Sequence, residues 1–263
     1  MLGKWICTHE AVETPLFRKV ISVRDIASAY IDISGLGFFF LKINGKRVSE
    51  DRFVPALTDY RERNTAAFYY PIHDTFTAHR VLYMTYDVKA FLREGENVIE
   101  VIVGNGWYRQ NERIGEGKAS FSDRPTAVFD LTVVHSDGTK SVFSTDGSEK
   151  AFVYPIQKSN LYIGENWDMR MFEKELPETE VMLHDFEPQI MQKQTCPTDR
   201  IIRSIVPKKW LGKNGGFILD AGENITGWVS FKAKADKYSR GTVVTLRFAE
   251  ATDRRSLAAL RTQ

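Results

Sequence analysis

Three groups of side chains in this sequence could do chemistry. The first is a loop tip, Val103-Gly104-Asn105-Gly106-Trp107-Tyr108-Arg109, with Asp123 further along the same polar segment. Aromatic faces pack on the C–H side of sugar rings while amides, guanidinium groups and carboxylates bond the hydroxyls, and ligand sites combine apolar walls with a few polar groups in this way. Asn105, Trp107, Tyr108, Arg109 and Asp123 are therefore the candidate carbohydrate contacts. The competing roles are structural: Trp107 would close the end of a core and Asn105-Gly106 would make a turn. The second group is carboxylates. Glycoside hydrolysis needs two carboxyl groups about 5–9.5 Å apart, one with its pKa raised to serve as an acid. Glu165 with Asp168 and Glu223 with Glu250 are nominal pairs. With 34 acidic residues in the chain, none stands out, so no catalytic residue is assigned. The third group is the histidines His9, His73, His79, His135 and His184, whose scatter matches no zinc spacing. No metal site and no cofactor are expected. Phosphate loops and nucleophile elbows are absent from the sequence, and Gly104-Asn105-Gly106 lacks the third glycine and following helix of a dinucleotide fingerprint.

The elements that must position these groups are strands. Ala29 to Ser34 alternates apolar and polar residues with period two, and Phe38 to Ile43 follows after Gly35-Leu36-Gly37. Asn44-Gly45 then sits between extended runs, the strongest short hairpin signal, because both turn residues need positive φ. Val98 to Val103 is β-branched and suits a central strand. Ala127 to His135 and Lys140 to Thr145 flank a second hairpin turn, Ser136-Asp137-Gly138-Thr139. Lys89 to Arg93 is at most one helical turn. Residues 61–81 and 109–125 read as long loops. Beyond Ile201, the segments Gly227 to Ala235 and Val243 to Glu250 alternate as strands do, while Asp253 to Gln263 reads as a helix or a frayed end. Sustained helical periodicity is nearly absent, so the chain reads as an all-β sandwich.

The bulk composition excludes several classes. The 263 residues suffice for one large or two ordinary domains. A net charge of +2, from 36 basic and 34 acidic residues, leaves no electrostatic footprint for nucleic acid or an anionic membrane. No apolar run reaches the ~18 residues of a membrane span. The first ten residues lack the apolar core of a signal peptide, which favours a cytoplasmic location. Cys7 and Cys196 are expected to be free thiols.

Four motifs in fixed order carry a resemblance. They are Ile43-Asn44-Gly45-Lys46-Arg47-Val48, Thr58-Asp59-Tyr60, Gly95-Glu96-Asn97 leading to Gly104-Asn105-Gly106-Trp107-Tyr108, and Gly222-Glu223-Asn224-Ile225-Thr226-Gly227-Trp228. Gly164-Glu165-Asn166-Trp167-Asp168-Met169-Arg170 lies between the last two. Together they resemble the N-terminal β-domains of bacterial α-L-rhamnosidases, glycoside hydrolase family 78, over roughly residues 14–250. The chain departs from that pattern at Pro55-Ala56-Leu57, where the family has Pro-Gly-Trp, and in its longer segment 61–81.

The resemblance implies a jelly-roll, galactose-binding-like β-sandwich over residues 1–175, a linker over 176–200, and the start of a second, concanavalin-like β-sandwich over 201–263. It implies an inverting glycoside hydrolase whose catalytic carboxylates sit on a later (α/α)6 barrel. The chain is then expected to stop short of that barrel, to be inactive alone, and to have the barrel and rhamnose-containing glycans as its partners. Some relatives of this kind use the domain as a calcium-dependent rhamnose-binding module, so a free-standing carbohydrate-binding module is the alternative. Calcium would need six to eight oxygen ligands; Asn105, Asn111 and Asp123 lie in suitable loops, without a compact Asp-rich calcium loop.

Overall fold

The computed structural model describes residues 1–58, 60, 79–110, 119–121, 124–211, 216–232, 236, 240–253 and 258–260. The expectation for a loop at 61–81 therefore falls almost wholly outside the described residues, as do Asn111 and Asp123. The chain divides into two compact units, Met1–Arg200 and Ile201–Gln263.

The first unit is a sandwich. Its strands in chain order are β1 (Ile6–Thr8), β2 (Pro15–Val23), β3 (Ile26–Leu36), β4 (Phe39–Ile43), β5 (Lys46–Arg47), β6 (Arg80–Asp87), β7 (Gly95–Val103), β8 (Arg109–Gln110) and β9 (Ala119–Ser120). There follow β10 (Thr126–His135), β11 (Lys140–Ser144), β12 (Lys150–Val153), β13 (Ile156–Asn160), β14 (Gly164–Trp167), β15 (Glu178–Thr179), β16 (Val181–Leu183) and β17 (Ile190–Lys193). One sheet runs β16-β1-β10-β3-β6-β17, with β11 also on β10; the other runs β15-β12-β2-β7-β4-β5. All pairs within these sheets are antiparallel except β17 on β6. Period-two alternation aims one side of each strand at the other sheet. Phe17 and Ile21 of β2, Leu41 of β4, and Ile99 and Val101 of β7 thus share one core with Ile31 and Ile33 of β3 and Phe129 and Leu131 of β10. Each such fully buried side chain contributes about 1.5–3 kcal/mol.

Two of the sequence motifs lock together at one edge of this core. Asn44 (φ 51°) and Gly45 (φ 75°) make the hairpin turn between β4 and β5. The Asn44 amide donates to Phe91 O at 2.9 Å and to Asn97 Oδ1 at 2.8 Å, while its own oxygen accepts from Val98 N at 3.0 Å. Asn97 is fully buried; its oxygen also accepts from Arg93 N, and its amide donates to Arg93 O and Gly95 O. Every donor and acceptor site of that amide is used. The expected helical turn is a 3-10 turn, Lys89–Phe91.

Residues 176–200, read in the sequence as a linker, are woven into the sandwich instead. β15 pairs with β12, β16 with β1, and β17 with β6. The prolines at 177, 188 and 197 separate short strands without abolishing them, because each sits between ladders. The strap is then pinned at Asp51, whose Oδ1 accepts from Thr198 Oγ1 at 2.6 Å and Arg200 Nε at 2.9 Å. Arg52 N donates to Asp199 O at 2.8 Å beside it. Burial opposes ionisation of Asp51, but hydrogen bonds from Thr198, Ser49, Arg200 and Tyr86 outweigh it and hold the carboxyl below its ordinary value.

The second unit carries two separate two-stranded ladders, β18 (Lys208–Leu211) with β19 (Phe217–Asp220), and β20 (Ala251–Asp253) with β21 (Ala258–Leu260). Asp253 and Ala258–Leu260 thus lie in a ladder where the sequence suggested a helix or a frayed end over Asp253 to Gln263. Residues 227–232 and 242–249 alternate in sequence yet join no ladder among the described residues. Alternation encodes a face, and a strand forms only where another strand or core covers that face. Val243 and Phe248 accordingly stand exposed.

Two outcomes follow for stability. Asn97→Ala removes four hydrogen bonds at a buried site and should cost about 2–4 kcal/mol, read from urea unfolding midpoints. Because the Asp51 carboxyl is depressed in the fold, its contribution is present above an unfolded value of about 3.9 and disappears as pH falls through the folded value. Asp51→Asn should lower stability at pH 7 by about 1–2 kcal/mol, discounted for the exposed Arg200, and flatten the acid limb of stability against pH.

Candidate functional site

The loop after β7 is shaped by backbone packing. Gly104 N donates to Phe38 O at 2.8 Å. A Cβ on Gly37 (φ +120°) would fall 1.9 Å from Gly104 O, and one on Gly106 (φ +50°) would fall 2.6 Å from Phe38 N. The Gly37 and Gly104-Asn105-Gly106 motifs are thus two halves of one contact that no side chain can enter. This contact sends the chain sharply out of β7 and sets the positions of Asn105, Trp107, Tyr108 and Arg109.

Those four residues then separate by role. Asn105 is buried; its amide donates to Glu13 Oε1 at 2.7 Å and to Ser159 O at 2.6 Å. Arg109 Nη1 donates to Glu13 Oε2 at 2.5 Å and to Asn105 Oδ1 at 3.1 Å. Ser159 N also donates to Glu13 Oε1, at 3.0 Å. Tyr108 is buried in a second core with Trp5, Leu36, Tyr60, Val81 and Val128. Its ring meets Tyr60 edge-on at 5.0 Å and lies nearly parallel to Phe121 at 5.9 Å. Burial in this aromatic cluster raises the Tyr60 hydroxyl well above its ordinary pKa. Trp107 is partly buried, with its ring 6.3 Å from that of the half-exposed Tyr162 at 74°. Of the four, Asn105 and Tyr108 thus serve the sandwich itself, whereas Trp107 keeps part of its surface open; Asp123 lies outside the described residues.

Glu13 is the residue that sequence reasoning missed. It joins the N-terminal segment, the β7 loop and β13 through one carboxylate. It stands 92 residues from Asn105, so no local spacing could signal the contact. Tyr162, the neighbour of Trp107, was equally hidden within a mixed aromatic and polar stretch.

The nominal acid pairs serve local structure. Trp167 Nε1 donates to Glu165 Oε2 at 2.9 Å. Asp168 accepts from Arg170 through Nε at 2.8 Å and Nη2 at 2.7 Å, and this pair holds its carboxyl low. Glu223 accepts from Arg203 at 2.6 Å. Asp146 sits at about 2, through hydrogen bonds from Lys19 and Ser148 that outweigh desolvation. Asp51, Asp137, Asp146 and Asp168 are all displaced downward, opposite to the shift a glycosidase acid requires. Among the described residues, no group of three or more His, Cys, Asp or Glu side chains could hold a metal ion. Cys7 is buried and Cys196 exposed, both as free thiols.

The architecture defines an all-β protein: a two-sheet β-sandwich followed by a second β segment that does not close on itself among the described residues. The chain belongs to the α-L-rhamnosidase N-terminal domain family, whose model matches residues 24–75 and 70–203. Among similar proteins, the α-L-rhamnosidase of Streptomyces avermitilis is 29% identical over 238 residues, which is 86% of this chain and 21% of that protein. One from Formosa agariphila is 27% identical over 245 residues, or 87% of this chain and 24% of that protein. The crystal structure of native α-L-rhamnosidase from Aspergillus terreus superposes with a TM-score of 0.72 at 27% identity, covering 86% of this chain and 26% of that one. The Streptomyces avermitilis enzyme complexed with L-rhamnose gives 0.68 at 26% identity, covering 81% and 20%. The chain therefore spans about a fifth to a quarter of the length of these relatives.

Gly106→Ala tests the loop's construction. The added Cβ must displace Phe38 N, so stability should fall by about 1–3 kcal/mol, and the tryptophan emission should shift as Trp107 moves. The measurement is thermal unfolding together with fluorescence of the folded state.

Proposed function

We propose that this chain is the non-catalytic N-terminal β-sandwich part of an α-L-rhamnosidase-like inverting glycoside hydrolase. In this reading it supports the catalytic barrel and touches rhamnose-containing glycans through Trp107. The observation that carries the reading is membership of the α-L-rhamnosidase N-terminal domain family in a chain that spans about a fifth to a quarter of the length of its α-L-rhamnosidase relatives. The sandwich has its own core, as a scaffold that folds independently requires.

Sugar contact rests on the part-buried Trp107 beside Tyr162, two rings set at 74° that offer an aromatic corner of the kind that packs on sugar C–H faces. Glu13 holds the loop beneath them rigid, so a bound ring would not have to order it. The same corner favours a second reading, a free-standing carbohydrate-binding module, in which affinity belongs to this chain alone.

Two measurements test this. The purified chain should release no aglycone from an aryl α-L-rhamnoside above the uncatalysed rate; clear turnover would overturn the non-catalytic reading. Calorimetric titration with L-rhamnose, with and without calcium, should show weak binding that Trp107→Ala abolishes in a sample that still unfolds cooperatively. Absence of binding at millimolar sugar in a folded sample would remove the sugar contact and leave the scaffold.

A further inference from the structure

The edge of the β3–β6 sheet opens into a groove that none of the loop residues around Trp107 lines. β17 follows β6 only over Arg80 to Tyr83, and Gln194 N to Tyr83 O, 2.9 Å, closes that ladder. The chain then departs at Cys196-Pro197 and returns to the sandwich at Asp51 and Arg52. The second half of β6, Met84 to Asp87, therefore has β3 on one side and a gap of about 610 Å³ on the other. That volume suits a small ligand.

Its lining is mixed. Tyr86 and Asp87 come from β6, Ser49 and Asp51 from the segment after β5, and Thr198 and Arg200 from the strap. Val48 and Pro197 add apolar surface above the core side chain of Met84. Asp51 is spent on fixing Thr198 and Arg200, so these two are held in place before any ligand arrives. The Arg200 side chain is 63% exposed, and a guanidinium has further N–H donors to offer. Asp87 is exposed; its Oδ1 accepts from Lys89 N at 3.0 Å, and its second carboxylate oxygen supplies an acceptor. Asp51 neutralises Arg200, and the remaining Asp87 carboxylate opposes an anionic ligand.

We infer that this groove is a binding site for a neutral, polyhydroxylated ring of monosaccharide size, held between Asp87, Arg200 and the Tyr86 edge. Hydroxyl groups would donate to Asp87 and accept from Arg200, with the C–H face against Pro197 and Val48. The inference does not depend on sugar binding at Trp107.

Cys196 lines the same groove and is exposed, whereas Cys7 is buried, so alkylation of Cys196 by iodoacetamide reports occupancy. L-Rhamnose, D-galactose and D-glucose are each added at high millimolar concentration, with D-glucuronate as the anionic control. At least one neutral sugar should slow alkylation severalfold and glucuronate should do so less. Protection should persist in Trp107→Ala and be lost in Asp87→Asn and in Arg200→Ala, with folding of each variant checked by thermal unfolding. Alkylation unchanged by every neutral sugar in the unsubstituted protein would overturn the inference whatever the variants do. So would equal protection by glucuronate, or protection lost in Trp107→Ala and kept in Asp87→Asn.

Discussion

The apolar interface between the two sheets is the constraint on which the rest of the sandwich depends. Phe17, Ile99 and Val101 on one side and Ile31, Phe129 and Leu131 on the other have to meet without voids, because protein interiors are packed as densely as organic crystals. That requirement fixes strand register, since a slip of one residue would turn each apolar set towards water. The turns then inherit fixed positions. Asn44-Gly45 and Asn97 meet because the strands carrying them are held by this core, and their mutual hydrogen bonds close the rim that the core leaves open.

The same logic explains why the most conspicuous sequence motif contributes mainly to architecture. Gly104-Asn105-Gly106 reads as a loop tip with ligand-binding residue types. In the fold Gly106 allows the Gly37–Phe38 backbone to approach, and Asn105 and Arg109 are drawn inward by Glu13. A buried amide or guanidinium must find partners or cost free energy, and the nearest carboxylate supplies them. Only the aromatic member, Trp107, keeps a surface to offer. In the proposed reading, scaffold and sugar contact share this one loop.

The strap from 176 to 200 shows how breakers mislead. Leu176-Pro177 and Cys196-Pro197 punctuate the sequence, and without partners they read as a linker. Ladders to β12, β1 and β6 turn the segment into part of both sheets, and the Asp51 anchor ends it. Where the strap leaves the edge of β6 it opens a groove whose walls come from three distant parts of the chain. Local sequence carries no trace of such a groove, because it exists only between segments.

By itself the sequence determined the all-β class, the Asn44-Gly45 and Asp137-Gly138 hairpins, the β-branched course of β7 and the order of family motifs. These features are local: propensity, period-two alternation and positive-φ turns act within a few residues. Tertiary structure decided which polar side chains are consumed and which remain open. Glu13 reaches Asn105 across 92 residues and Asp51 reaches Arg200 across 149, and pairing at that range depends on sheet order and register, which are set by burial of the whole core. It also decided that the alternating runs 227–232 and 242–249 stay outside any described ladder, because a strand is completed by its neighbour and no pattern within one segment can supply that neighbour.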